Sequence, residues 1–115
     1  MMEETASAAD DLEKLGELHD MASHAVELLK AMANEWRLMI LCQLAEGEKT
    51  VSELQAILGL SQSALSQHLA VLRREKIVKS RKQAQSVTYS LAGAEAPKVM
   101  NTLHEVFCET QGERQ

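Results

Sequence analysis

Two side chains in this sequence are equipped for covalent sulfur chemistry, Cys42 and Cys108. A thiolate attacks sulfur and binds soft metals. Two thiols brought together can therefore close a disulfide, take up an extra sulfur atom or share a metal ion. Against this, cysteine is among the most commonly buried residue types, and either one could simply fill a core. His104 stands four residues before Cys108, one helical turn away, where an imidazolium would lower the thiol pKa. An exposed helix residue is the plainer reading of that histidine.

The elements that must position the thiols are mostly helical. Leu12, Leu15, Leu18, Ala22, Ala25, Leu29 and Met32 recur at steps of three and four, which predicts a helix with a narrow apolar seam suited to another helix. Asn34 is placed to cap a second helix through Trp36, Leu38, Leu41 and Leu44, with Gly47 as its stop and Cys42 inside it. Thr50 and Glu53 form the T-x-x-E capping box of a short third helix, with Leu54, Ile57 and Leu58 inward and Gly59 closing it. Ser61 caps a fourth helix whose Leu65, Leu69 and Leu72 share one face.

A short helix, a glycine-containing turn and a capped second helix make a helix-turn-helix over residues 50–74. At about 100° per residue, the outward face of its second helix carries Ser63, Ser66, Gln67, Ala70 and Arg74. Small and amide side chains there permit close approach to a major groove and offer donors and acceptors to base edges. Charge supports this placement. The net charge is −5, yet residues 61–91 carry 6 basic side chains and 1 acidic, against 4 and 12 in residues 1–60 and 2 and 4 in residues 92–115. The positive charge is concentrated where a polyanion would lie.

Two strand-like runs follow, Ile77 to Lys82 and Val87 to Leu91, the second alternating cleanly. The tip, Gln83-Ala84-Gln85-Ser86, lacks Asn-Gly or Asp-Gly, so a longer loop is expected. With Lys79, Arg81 and Lys82 projecting, residues 77–91 read as a wing. A final helix after Pro97, within 95–110, places Val99, Leu103, Val106 and Phe107 on one face and Cys108 near its end, and residues 111–115 are expected to fray. The fold class is thus mainly α (α+β): a winged helix-turn-helix of about five helices with a two-stranded β-hairpin wing. It forms a single domain over 1–115 with an acidic N-terminal tail at 1–11.

With 115 residues, 45% of them hydrophobic but only 3% aromatic, the chain supports one modest aliphatic core of the kind often completed against a second copy. The opening segment is acidic and polar, so neither a signal peptide nor a membrane span is expected. A cytoplasmic location is the expectation, where thiols stay reduced and a purely structural disulfide is not.

The stretch LLKAMANEWRLMILCQLAEGEKTVSELQAILGLSQSALSQHLAVLRREKIVKSRKQAQSVTYSL, from Leu28 to Leu91, resembles the ArsR/SmtB family of bacterial repressors. Its LSQSALSQHLAVLRR core is the most specific part. The resemblance implies a homodimer joined mainly by the first and last helices. Its two recognition helices would meet successive major grooves, about 34 Å apart, of an imperfectly palindromic double-stranded operator. It also implies release by an inducer, most often a metal or metalloid.

Metal sensors of the family carry a Cys-x-Cys-type motif before the turn, where EKTVSEL here places Thr50 and Ser52. Their other common site, Asp-x-His with a later His-x-x-Glu or His-x-x-His on the last helix, finds only His104 between Ala94 and Gln111. No metal or other cofactor is expected on these grounds. A three-ligand set of Cys42, His104 and Cys108 remains the alternative. The thiol pair is similar instead to that of the sulfide- and persulfide-responsive dithiol repressors, the BigR/SqrR type. That resemblance brings Cys42 and Cys108 together as redox-sensing residues, with reactive sulfur species as inducer and sulfide detoxification genes as the target.

For DNA, Gln62, Ser63, Ser66 and Gln67 are the candidates for base edges and nearby phosphates. His68 lies at the edge of the buried face, between a phosphate contact and a packing role. Arg74, Arg81 and Lys82 are assigned to the DNA backbone. Gln85 stands near the wing tip, where family wings often carry arginine, so strong minor-groove readout is not expected. Two other classes remain open: a thiol peroxidase-like enzyme, for which nothing beyond His104 supplies a base, and a winged-helix module that binds protein.

Overall fold

A computed structural model gives the fold, describing the backbone of residues 2–109 and the side chains of residues 8–107. Among the described residues the elements run α1 (Met2–Met32), α2 (Glu35–Ala45), β1 (Lys49–Thr50), α3 (Val51–Leu58), α4 (Gln62–Arg74), β2 (Val78–Gln83), β3 (Ser86–Leu91) and α5 (Glu95–Leu103). A π-helical segment, His104–Glu109, continues α5. This is the winged helix-turn-helix that the sequence leads one to expect. The expected fraying of 111–115 lies outside the described residues.

Local chemistry sets the helix starts. The Asn34 side chain accepts from the Arg37 N–H at 3.1 Å and opens α2. Arg37 Nε in turn donates to the Ala31 carbonyl at 2.6 Å, which ties the corner between α1 and α2. The capping box of α3 is formed in both directions, Glu53 N–H to Thr50 Oγ1 at 3.1 Å and Thr50 N–H to Glu53 Oε1 at 2.9 Å. Ser61 Oγ accepts from the Ala64 N–H at 3.1 Å and opens α4. Between α3 and α4 the chain reverses through Gly59 at φ 72°, a left-handed conformation that a side chain would strain.

The core lies where α2, α3 and α4 meet the sheet. Ile40, Leu41, Leu54, Leu65, Leu69, Leu72 and Ile77 are almost wholly removed from solvent. Each such side chain stabilises the fold by about 1.5–3 kcal/mol relative to exposure. Among the described residues α1 joins this core at its C-terminal end, through Ala31, Met32 and the half-buried Leu28. The seam expected along α1 forms as a helical stripe that the described residues cover only at its C-terminal end, where Met32 is buried: Leu12 is 70% exposed, and Leu15, Leu18 and Leu29 are exposed as well. The helix also extends back to Met2, through the segment read as an acidic tail.

Several local expectations are corrected. The wing is part of a three-stranded antiparallel sheet, order β1-β3-β2, because Lys49 and Thr50 pair with Tyr89 and Thr88. Its tip is not a longer loop. Gln83 pairs with Ser86, leaving only Ala84 and Gln85 to turn, and Ala84 takes a φ of 55°. The six-pair ladder behind the tip imposes the turn on residues that do not favour it.

Ile57 is 49% exposed rather than inward. The inward stripe of α3 runs through Val51, Leu54 and Leu58, and Ile57 sits about 100° from its centre. Trp36 is 40% exposed, at the margin of the stripe that α2 forms with Ile40, Leu41 and Leu44. The final helix starts at Glu95, not after Pro97, which occupies its first turn, where a missing N–H costs no helical hydrogen bond. Val106 and Phe107 are exposed, since the change to π spacing after Leu103 breaks the repeat that places Val99 and Leu103 against the core.

Candidate DNA-binding face and thiol cavity

α4 presents one face to the core and the other to solvent. Gln62, Ser63, Ser66, Gln67, Ala70 and Arg74 are all exposed, while His68 is half-buried at the margin. The exposed row is short-chained at the N-terminal end and basic at the C-terminal end, where Arg73 and Arg74 follow each other. Beside it runs a cleft of about 450 Å3, walled by Ser66, Ala70, Arg73 and Arg74 on the helix and by Tyr89 on β3. Arg73 and Tyr89 were not singled out from the sequence. Arg73 was hidden in a basic run, and Tyr89 looked like one member of an alternating strand.

Strand parity separates the two basic wing residues. Lys82 pairs with Val87 and Ser80 with Tyr89, so Lys82 lies on the same sheet face as Tyr89, toward the cleft. Arg81 pairs with Thr88 and lies on the opposite face. There its guanidinium meets the Glu48 carboxylate in a two-pronged contact, Nη1 to Oε2 at 3.0 Å and Nη2 to Oε1 at 3.2 Å. The hydrogen bonds and charge of Arg81 hold the Glu48 carboxyl below the usual carboxylate value and raise the Arg81 pKa in return. Glu48 was not among the sequence candidates; 33 residues separate it from Arg81 and no local pattern joins them. Among the described residues the ion pair of Arg74 is a long 4.0 Å contact with Glu75, and its side chain is largely exposed.

The second site lies on the far side of α2. A cavity of about 580 Å3 opens between α2 and the last helix, with Leu38, Cys42 and Ala45 on one wall and Met100, His104 and Phe107 on the other. Cys42 is exposed at this wall. Cys108 follows Phe107 in the π-helical segment, and its side chain lies outside the described residues. The alternative three-ligand set therefore falls partly outside them too. Among the described residues no group of three or more His, Cys, Asp or Glu side chains is placed to hold a metal ion. Nor, among them, is any helix long and apolar enough to cross a membrane.

A capped recognition helix with an exposed polar face, set beside a β-hairpin wing, defines a winged-helix DNA-binding protein. Residues 34–80 match the family described as bacterial regulatory protein, arsR family. Over 95 residues the chain is 52% identical to the transcriptional activator HlyU of Vibrio cholerae, covering 83% of this chain and 88% of that protein. It is 38% identical over 99 residues to the biofilm growth-associated repressor of Xylella fastidiosa, 86% of this chain and 82% of the repressor. The structure of reduced HlyU from V. cholerae matches with a TM-score of 0.78 at 52% identity, covering 80% of this chain and 97% of that one. The chain belongs to the ArsR family. It is a transcriptional regulator and not an enzyme.

Proposed function

We propose that this regulator is a repressor that leaves its operator when Cys42 and Cys108 are oxidised or bridged by reactive sulfur species. The observation that carries the reading is the place of Cys42, exposed on the wall of a cavity whose opposite wall is the helix leading into Cys108. In the sulfur step, one thiolate attacks the outer sulfur of a persulfide RSSH, releases RSH and becomes Cys–S–SH. The second thiolate attacks the sulfur bonded to the cysteine and expels hydrosulfide, leaving a disulfide. Further sulfur atoms in the donor would lengthen the link and relax the Cα spacing of about 4.4–6.8 Å that a direct disulfide demands.

Such a link would bear on α2, which runs through Glu46 and Gly47 directly into β1 and the helix-turn-helix. A switch of this kind is worth about 1–3 kcal/mol, or roughly 5–150-fold in DNA affinity. DNA contacts are assigned to Gln62, Ser63, Ser66, Gln67, His68, Arg74, Arg81 and Lys82. The working unit is a homodimer, supported by the uncovered leucines of α1 and by Val106 and Phe107 on the last helix.

The test uses duplexes selected from a random library by the reduced protein. Intact mass and DNA binding are followed together during titration with polysulfide and with peroxide. Serine at Cys42 or at Cys108 is expected to leave binding intact and abolish release, with sulfur-mass increments bridging the pair in the unaltered protein. Normal release from either single variant overturns the reading.

A further inference from the structure

Arg81 sits on the middle of β2, and its partner across the sheet is not on the neighbouring strand. Arg81 pairs with Thr88 on β3, and Thr88 pairs in turn with Thr50 on β1. The three form one row on one sheet face. The arginine spans this row to reach Glu48, two residues before Thr50, in the connection that leaves α2. Nη2 also lies 3.4 Å from Gln83 Oε1. Nearby Lys79 adds to the positive charge felt by Glu48.

The geometry is the one a DNA phosphate would offer. Two oxygens about 3 Å from two guanidinium nitrogens is the bidentate arrangement that arginine makes equally with carboxylates and phosphates. The pair is also accessible, the side chains of Arg81 and Glu48 being 54% and 52% exposed. An ion pair so open to water is weak, so a phosphate can displace the carboxylate.

We propose that Glu48 is an internal competitor for the wing: its carboxylate occupies Arg81 in the DNA-free protein and must surrender it to the operator backbone. This rests on DNA binding by the family and is independent of the sulfur reading. Two consequences separate Arg81 from Lys82. Lys82 gives a phosphate a charge that no carboxylate has first to release, because no ion pair is recorded for it among the described residues. Arg81 instead exchanges one anion for another, so its net contribution to affinity is held down. Glu48 thereby lowers the hold on DNA of any sequence alike, reducing absolute affinity and leaving the discrimination between sequences to the base contacts. Its position between α2 and β1 also makes the availability of Arg81 depend on where the end of α2 sits.

The test measures binding of the reduced full chain to a mixed-sequence duplex of about 30 base pairs as salt is varied. Glu48→Gln is expected to raise affinity several-fold across the salt range while leaving the slope of log affinity against log salt close to that of the unaltered protein, because Arg81 meets the same phosphate in both complexes. In an Arg81→Gln background the same Glu48 substitution should give little or no gain. Both positions lie on the surface, and circular dichroism checks that the fold is kept. Glu48→Ala serves as a second variant with the same expected result. A fall in affinity on Glu48→Gln would mean that the carboxylate positions Arg81 for DNA, and overturns the proposal. So does an unchanged affinity. An equal rise with and without Arg81 would reduce Glu48 to plain charge repulsion, and overturns it as well.

Discussion

Cys42 on α2 and His104 on the last helix face the same cavity, far apart in sequence and joined by an apolar space of about 580 Å3. That volume falls in the range of small-molecule sites, and its walls are mainly aliphatic and aromatic. Ala45 is the smallest side chain on the α2 wall. Ala45→Leu is expected to narrow the space and slow modification of Cys42 by a neutral alkylating agent several-fold, with DNA binding of the reduced protein unchanged. Peptide mapping after timed alkylation reads it, and an unaltered rate would separate the thiol from the cavity.

On the DNA face, Gln67 and Lys82 should fail in different ways. Gln67→Ala is expected to relax sequence preference by about 1–3 kcal/mol at one base pair while leaving nonspecific binding in place. Lys82→Gln should weaken every sequence alike and flatten the salt dependence by about 0.9 per protomer. Competition binding against selected and scrambled duplexes distinguishes the two patterns.

The capping box of α3 supplies a stability prediction with a definite pH sign. Thr50→Ala should destabilise the fold by about 1 kcal/mol in thermal or denaturant unfolding. The carboxyl of Glu53 is held below the ordinary value of 4.5, first by the backbone N–H of Thr50 and next by its hydroxyl. A carboxylate lowered in the folded state stabilises at pH above its unfolded value, and that stabilisation is lost as pH falls through the lowered one. The melting-temperature gap between the unaltered protein and Glu53→Ala should therefore be full at neutral pH and close on acidification below about pH 4. A gap that widens in acid contradicts the assignment.

Leu69 and Ile57 separate the core from the surface. Leu69 is 1% exposed, and Leu69→Ala should cost about 2–5 kcal/mol. Ile57, at 49%, should tolerate alanine within about 1 kcal/mol in the isolated chain. Urea midpoints at constant slope measure both. A large loss at Ile57 would place it against another surface.

What could be read from the residues was what neighbouring residues decide. Asn34, Thr50, Glu53, Ser61 and Gly59 each act within one turn of helix, so the caps and the helix-turn-helix were legible to the residue. The leucines of α4 were legible because thirteen residues carry enough periods to show one face. α3 has only eight, and Ile57 was misplaced. The tight turn at Ala84 was not legible, because its φ is set by the pairing of two strands rather than by its own preference. β1 is two residues long and carries no period at all. Of the candidate site, the recognition face was readable from α4 alone, whereas the partner of Arg81 and the shared wall of Cys42 and His104 depend on tertiary approach.

α1 is a rod of 31 residues, about 46 Å long, anchored at one end and lined along much of its length by leucines that its own chain leaves bare. On the pairing proposed above, those leucines tie stability to mass action: dilution and heat would act on one equilibrium. The melting temperature would then climb with protein concentration, and DNA would protect the protein from unfolding by favouring the paired form. A cell making too little of this regulator would hold proportionally less of it folded, which gives the amount synthesised a threshold character that a self-sufficient monomer would lack.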